Sequence, residues 1–129
     1  MIKKRIIQLR NKFQKFGIDG YVVTKNDEFF SQYPQNDRLK TISNFTGSAG
    51  LAIILKKKNY LFVDGRYTLQ AQIESSNEFQ IINLDKINNC RLFKNQVLGL
   101  DPKLFTSKQI KKFFLKFNKV KEISSNLID

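Results

Sequence analysis

Residues 50–65, GLAIILKKKNYLFVDG, set two short apolar runs around one polar stretch. Leu51 to Leu55 reads as a strand, KKKN as a turn and Tyr60 to Val63 as the returning strand, the pattern of a β-hairpin. A hairpin is an antiparallel pair, so any sheet containing it has antiparallel character. Elsewhere in the chain, helical patterns separate the strand-like runs, which calls for parallel pairing and helices on the sheet faces. The two observations together predict an α/β fold: a mixed, twisted sheet of five to six strands flanked by helices.

Upstream of the hairpin, Ile6, Leu9, Phe13 and Phe16 recur at spacings of three and four over residues 3–16, the stripe of an amphipathic helix. Gly17 is placed to end it as a C′ glycine. GYVVTK, residues 20–25, reads as a buried strand. Residues 26–36 are a polar and aromatic loop, after which Asn36 or Asp37 can cap a short helix through Ile42. Phe45 to Gly50 is a tight connection in which Gly47 and Gly50 permit backbone angles closed to other residues.

Downstream, Asp64-Gly65 breaks the second hairpin strand and Arg66 to Ser76 reads as a helix. Tyr67, Ala71 and Glu74 fall on one side of it, with Leu69 and Ile73 as a neighbouring stripe. Phe79 to Leu84 is strand-like. Ile87, Cys90, Leu92 and Phe93 allow a short irregular helix over 86–95. Val97 to Leu100 is a strand, and Asp101-Pro102 is a turn. Thr106 and Gln109 form a capping box ahead of the stripe Ile110, Phe113, Phe114 and Phe117. Asn118 to Ile123 supplies the last strand. No internal repeat or long linker divides the chain, so residues 1–129 read as one domain.

The composition narrows the function classes. A chain of 129 residues buries roughly two thirds of its unfolded surface and needs no disulfide or metal for stability. The formal charge is +12, from 23 Lys and Arg against 11 Asp and Glu. That balance would suit a nucleic-acid or anionic-membrane binder. Only five of the basic residues are arginines, however, and the lysines are dispersed, so a solvated lysine-rich surface is the simpler reading. No apolar run is long enough to span a membrane. The basic start, MIKKRIIQLRNKF, lacks the apolar block of a signal peptide and reads as a surface helix, with an amphipathic presequence as the other reading. Cys90 stands alone and fits a reducing, cytoplasmic setting.

Chemistry is hard to assemble from these residues. The chain has no histidine, so Ser43, Ser48 and Cys90 lack an imidazole partner. A helix precedes TGSAG and a strand follows it, the reverse of a phosphate-binding turn. Gly47 and Gly50 then turn the chain, with Thr46 and Ser48 satisfying loop amides. The carboxylates are scattered. Asp64, at a strand end, is placed to accept the amides near residues 66 and 67. Arg66 in a first helical turn opposes the helix dipole and calls for a carboxylate partner inside the domain or beyond it. Phe29, Phe30 and Tyr33 can wall a pocket or an interface, or pin their loop to the core. The residues alone describe a noncatalytic module with one marked face: the 29–38 loop, the 45–50 turn and the end of the 60–64 strand.

Four segments carry a resemblance: RIIQLRNKFQKFGIDGYVVTKND; SQYPQNDRLKTISNFTGSAGLAII; LFVDGRYTLQAQ; and GLDPKLFTSKQIKKF. In this order they resemble the N-terminal domain of the Xaa-Pro aminopeptidases, the aminopeptidase P branch of the creatinase and prolidase group. The SQYPQNDRL wording is closer to the three-domain members. The stretch from Asp85 to Gln96 is shorter than in typical relatives, where a Trp-containing helix is usual.

The resemblance implies the creatinase/aminopeptidase P N-terminal type of mixed sheet. It also implies that full-length relatives remove a residue preceding proline, using two divalent metals, commonly manganese. Their Asp, His and Glu ligands lie in a later pita-bread domain that is absent from residues 1–129, so no metal or cofactor is expected in this chain. The implied partner is the catalytic domain of the same polypeptide, with a second copy as the other candidate and with neither membrane nor nucleic acid. Carried over residue by residue, Asp37, Arg38, Asp64, Arg66 and Tyr67 are the cleft or interface candidates. The reading from another class is a stand-alone basic binding protein descended from such a domain.

Overall fold

Strands β1 (Gly20–Thr24), β2 (Gly50–Leu55), β3 (Asn59–Val63), β4 (Gln80–Asn83), β5 (Val97–Leu100) and β6 (Lys119–Glu122) form one sheet in the order β4-β3-β2-β1-β5-β6. The computed structural model describes residues 2–25, 37–47, 50–89, 94–114 and 118–128. The hairpin β2–β3 is antiparallel and β1 runs antiparallel to β2, whereas the pairs β3–β4, β1–β5 and β5–β6 are parallel. The sheet is therefore mixed, with the antiparallel strands at its centre, as the sequence predicts.

Both faces of the sheet are covered, which explains why the central strands are almost uniformly apolar. Val23, Ala52, Ile54, Leu61 and Val63 point into one core, beneath helices α1 (Ile2–Asn11), α2 (Phe13–Phe16), α3 (Arg38–Ser43) and α4 (Thr68–Ser75). Val22, Ile53, Tyr60 and Phe62 point into the other, with Ile87 of the 3₁₀ turn Leu84–Asn89 and with Ile110 of α5 (Ser107–Phe113). The register aligns these sets: Val22 faces Ile53, which faces Tyr60, while Val23 faces Ala52, which faces Leu61.

The first helical pattern divides in two. The Lys12 amide donates to Leu9 O at 3.0 Å, a tightened turn after which α2 resumes. Gly17 then ends the run at φ 66°, where a side chain would be strained. Arg10 fastens α1 to the hairpin, its Nε donating to Leu55 O at 2.7 Å and its Nη2 to Asn59 Oδ1 at 2.6 Å. Burial pulls its guanidinium below the ordinary arginine value, and Glu78 acts in the opposite direction.

Two departures occur late in the chain. Helix α5 ends at Phe113, with Ile110 and Phe114 buried; Phe117 of the predicted stripe lies outside the described residues. The tail beyond β6 also joins the core. Leu127 is buried, its amide donates to Tyr21 Oη at 3.2 Å, and its carbonyl accepts from Lys12 Nζ at 2.9 Å. Lys119, Lys121 and Glu122 lie exposed on edge strand β6, where charge opposes pairing with another chain.

The capping box ahead of α5 is present in full. Gln109 N donates to Thr106 Oγ1 at 3.1 Å, and Thr106 N donates to Gln109 Oε1 at 2.9 Å. Thr106→Ala removes one half of it and should lower stability by about 1 kcal/mol. Urea unfolding will show this as a lower midpoint with an unchanged slope.

Candidate functional site

The marked face lies at the end of the sheet where β1 and β3 finish and β2 begins. Thr24 stands opposite Leu51, and Val63 opposite Gly50. The chain enters α3 there through Asp37, which is the cap, rather than Asn36. One Asp37 carboxylate oxygen accepts the Lys40 amide at 3.1 Å, and its carbonyl accepts the Thr41 amide and hydroxyl, each at 3.1 Å. The other carboxylate oxygen forms an ion pair with Lys25, which follows β1 and is itself buried. Arg38 is only 4% exposed. A buried charge needs compensation, and Lys25 and Asp37 supply it to each other.

Helix α3 ends at Asn44, which takes the left-handed conformation at φ 66° and donates its amide to Lys40 O at 2.8 Å. This turn inserts Phe45 into the core. Gly47 is required for a different reason from the one the sequence implies. A Cβ on it would lie 2.2 Å from Phe45 Cζ, so the backbone is pressed against the ring and has no room for a side chain. A Cβ on Gly50 would come within 3.1 Å of both Leu39 and Phe45. Thr46 clasps α4, while the loop amides of residues 48 and 49 lie outside the described residues. Its amide and hydroxyl donate to the Glu74 carboxylate at 3.0 and 2.7 Å, and Gln70 Nε2 donates to the same hydroxyl at 2.7 Å.

After β3, Asp64 starts a 3₁₀ turn, Gly65–Tyr67, that leads into α4. Its Oδ1 accepts the Arg66 amide at 3.0 Å and Arg66 Nε at 3.2 Å, while its carbonyl accepts the Tyr67 amide at 2.8 Å. The carboxylate that Arg66 calls for is therefore supplied by its own turn. The guanidinium also lies 5.5 Å from the centre of the Tyr67 ring, which meets Phe45 edge-on at 6.1 Å. Phe45 thus joins the two parts of the face, one opening with Asp37 and Arg38, the other with Asp64, Arg66 and Tyr67. Lys25 and the Thr46–Glu74 clasp are additions that no local pattern announces. Phe29, Phe30, Tyr33, Ser48 and Cys90 lie outside the described residues.

Chemically, the face offers fixed charges and shape. Asp37 and Asp64 are each engaged by an amide and a cation. Among the described residues, no three His, Cys, Asp or Glu side chains come together as a metal site. The Arg66 amide, and then its side chain, hold the Asp64 carboxyl below the usual carboxylate range. A depressed carboxyl contributes stability above its unfolded pKa of about 3.9 and loses it as pH falls through the lower folded value. Asp64→Asn should therefore be destabilising near neutrality, and the deficit should shrink towards zero in acid. Unfolding midpoints of both proteins across the acid range will measure it.

The comparisons with known proteins agree with this architecture. The profile of the Creatinase/Prolidase N-terminal domain matches residues 5–127. The chain is 31% identical to the probable Xaa-Pro aminopeptidase P of Laccaria bicolor, over 98% of its own length and 22% of that protein's. It is 34% identical to that of Aspergillus fumigatus, over 98% of its own length and 21% of the relative's. The X-prolyl aminopeptidase of Caenorhabditis elegans shares the fold at a TM-score of 0.84 and 23% identity, covering 100% of this chain and 25% of that one. An N-terminal domain of a Corynebacterium diphtheriae metallopeptidase does so at a TM-score of 0.73 and 17% identity, covering 97% and 98%. The profile match over nearly the whole chain, on a mixed sheet of this topology, establishes that the protein belongs to the Creatinase/Prolidase N-terminal domain family.

Proposed function

We propose that this chain is the noncatalytic N-terminal domain of a Xaa-Pro aminopeptidase, bordering the substrate cleft and contributing contacts to the catalytic domain or to another subunit. The observation that carries the reading is the match along 98% of the chain to probable Xaa-Pro aminopeptidases P, of whose length it spans 22% and 21%. The C. elegans relative is a cytosolic enzyme with a dinuclear active site. That supports a cytoplasmic location and a pair of divalent metals, manganese by family resemblance, held outside residues 1–129. The chain's own part is mechanical. Asp37, paired with Lys25, the buried Arg38, and the Asp64–Arg66 pair beside the Tyr67 ring make up the rim, turned towards the cleft or a neighbouring subunit.

The test is a peptidase assay on the product of the complete open reading frame, loaded with manganese and given a peptide with proline at its second position. The complete protein should release the first residue, and residues 1–129 alone should not. Arg66→Ala in the complete protein should lower kcat/KM or weaken assembly by about tenfold, the loss expected for one charge-assisted contact. Unchanged activity and assembly would remove the role given to Arg66. Cleavage by residues 1–129 alone would overturn the noncatalytic reading. A reading frame that closes after codon 129 would favour the stand-alone basic binding protein.

A further inference from the structure

Helix α4 is built inside out. Its buried residues are the small ones, Ala71 and Ser75, and the Ser75 hydroxyl donates to Ser43 O at 2.7 Å. Its large apolar residues face away from the domain: Leu69 is 74% exposed and Ile73 is 77% exposed. They stand four residues apart, one above the other on the same helical face. Arg66, three residues before Leu69, has a side chain that is 76% exposed. The inner side of the helix is meanwhile fully committed, with Gln70 and Glu74 clasping Thr46. A rotation that buried Leu69 and Ile73 would break those contacts, so the apolar side stays outward.

We infer that this face of α4 is the seat of the catalytic domain of the same polypeptide, which presents an apolar hollow to Leu69 and Ile73. This rests on the reading of the chain as one domain of a longer aminopeptidase. A second copy fits the face poorly. Two side chains fall far short of the roughly 800 Å² per partner that a stable dimer buries, and each copy carries a formal charge of +12. A tethered domain needs no such area, because linkage supplies a high effective concentration. The matched part spans only 22% of the length of the L. bicolor relative, so there is ample further chain in such a protein to cover the face.

The experiment uses the complete open-reading-frame product carrying Leu69→Lys and Ile73→Lys together, with Leu69→Met/Ile73→Leu as the conservative control. Both positions are exposed, so the lysines leave the domain's own core intact. Docking predicts that the lysine variant has a larger hydrodynamic radius and a melting transition split in two, while the conservative variant keeps the radius and single transition of the unmutated protein. An unchanged radius and a single transition in the lysine variant would overturn the inference. So would a concentration-dependent dimer in the unmutated protein that the lysines abolish without altering the radius of the monomer, since the occupant would then be a second copy. Xaa-Pro cleavage by the unmutated protein reports separately on the functional reading, so failure of one is distinguishable from failure of the other.

Discussion

Strand β2 is squeezed from both sides, and the domain is arranged around that constraint. It pairs antiparallel with β1 and β3, and from Leu51 to Leu55 every residue is buried, Ile53 against one layer and Ile54 against the other. A strand in that position can expose neither backbone nor side chain to water, so the layers on both faces must be complete. Helices α1 to α4 close one side, and α5 with the Leu84–Asn89 turn closes the other. The edges carry what the centre cannot: half-buried isoleucines on β4 and lysines on β6.

The face at the end of this sheet inherits its rigidity from Phe45. The ring is fully buried, supports Gly47 from below and abuts the Tyr67 ring. Removing such a ring from a packed site costs on the order of 3–5 kcal/mol. Here it would also free the 45–47 backbone from the corner that starts with Asp64. The polar groups of the face are consequently set by the core beneath them. Asn44 makes the left-handed turn that aims Phe45 inward, and Ser43 and Ser75 tie that turn to α4. A side chain on Gly47 would displace the ring itself, so Gly47 has a packing reason independent of phosphates or nucleophiles.

The elements most legible in the sequence were those set by local chemistry. Two continuous apolar runs around a lysine-rich tip mark the hairpin. Thr106 and Gln109 marked the start of α5, Gly17 the end of α2, and Asp64 its own amide partner. What escaped was set by contacts distant along the chain. Nothing near Lys25 announces an ion pair with Asp37, twelve residues on, and nothing near Leu127 announces a bond to Tyr21. The reason for Gly47 is not legible locally, because a glycine's sequence context does not say whether it supplies a dihedral angle or an absence of bulk. The Leu69 and Ile73 stripe was visible, but its direction was not: Ala71 and Ser75 let the helix lie close to the sheet on its small side, and burial then left the large side outward.

The pairing of charges on the face has a further consequence for how it meets metal ions. A free carboxylate is a hard oxygen donor for divalent ions, since those ions favour oxygen ligands. Asp37 and Asp64 are poor candidates for that role. One is held by Lys25 and the Lys40 amide, the other by the amide and guanidinium of Arg66. To take a metal through both oxygens, Asp37 would have to give up a cation and a helix cap together, and Asp64 the Arg66 amide and guanidinium that its Oδ1 accepts. Cations bound in advance thus let the face carry negative groups that compete weakly for free divalent ions. The charge excess of the chain works in the same direction, because a surface at +12 repels free divalent cations.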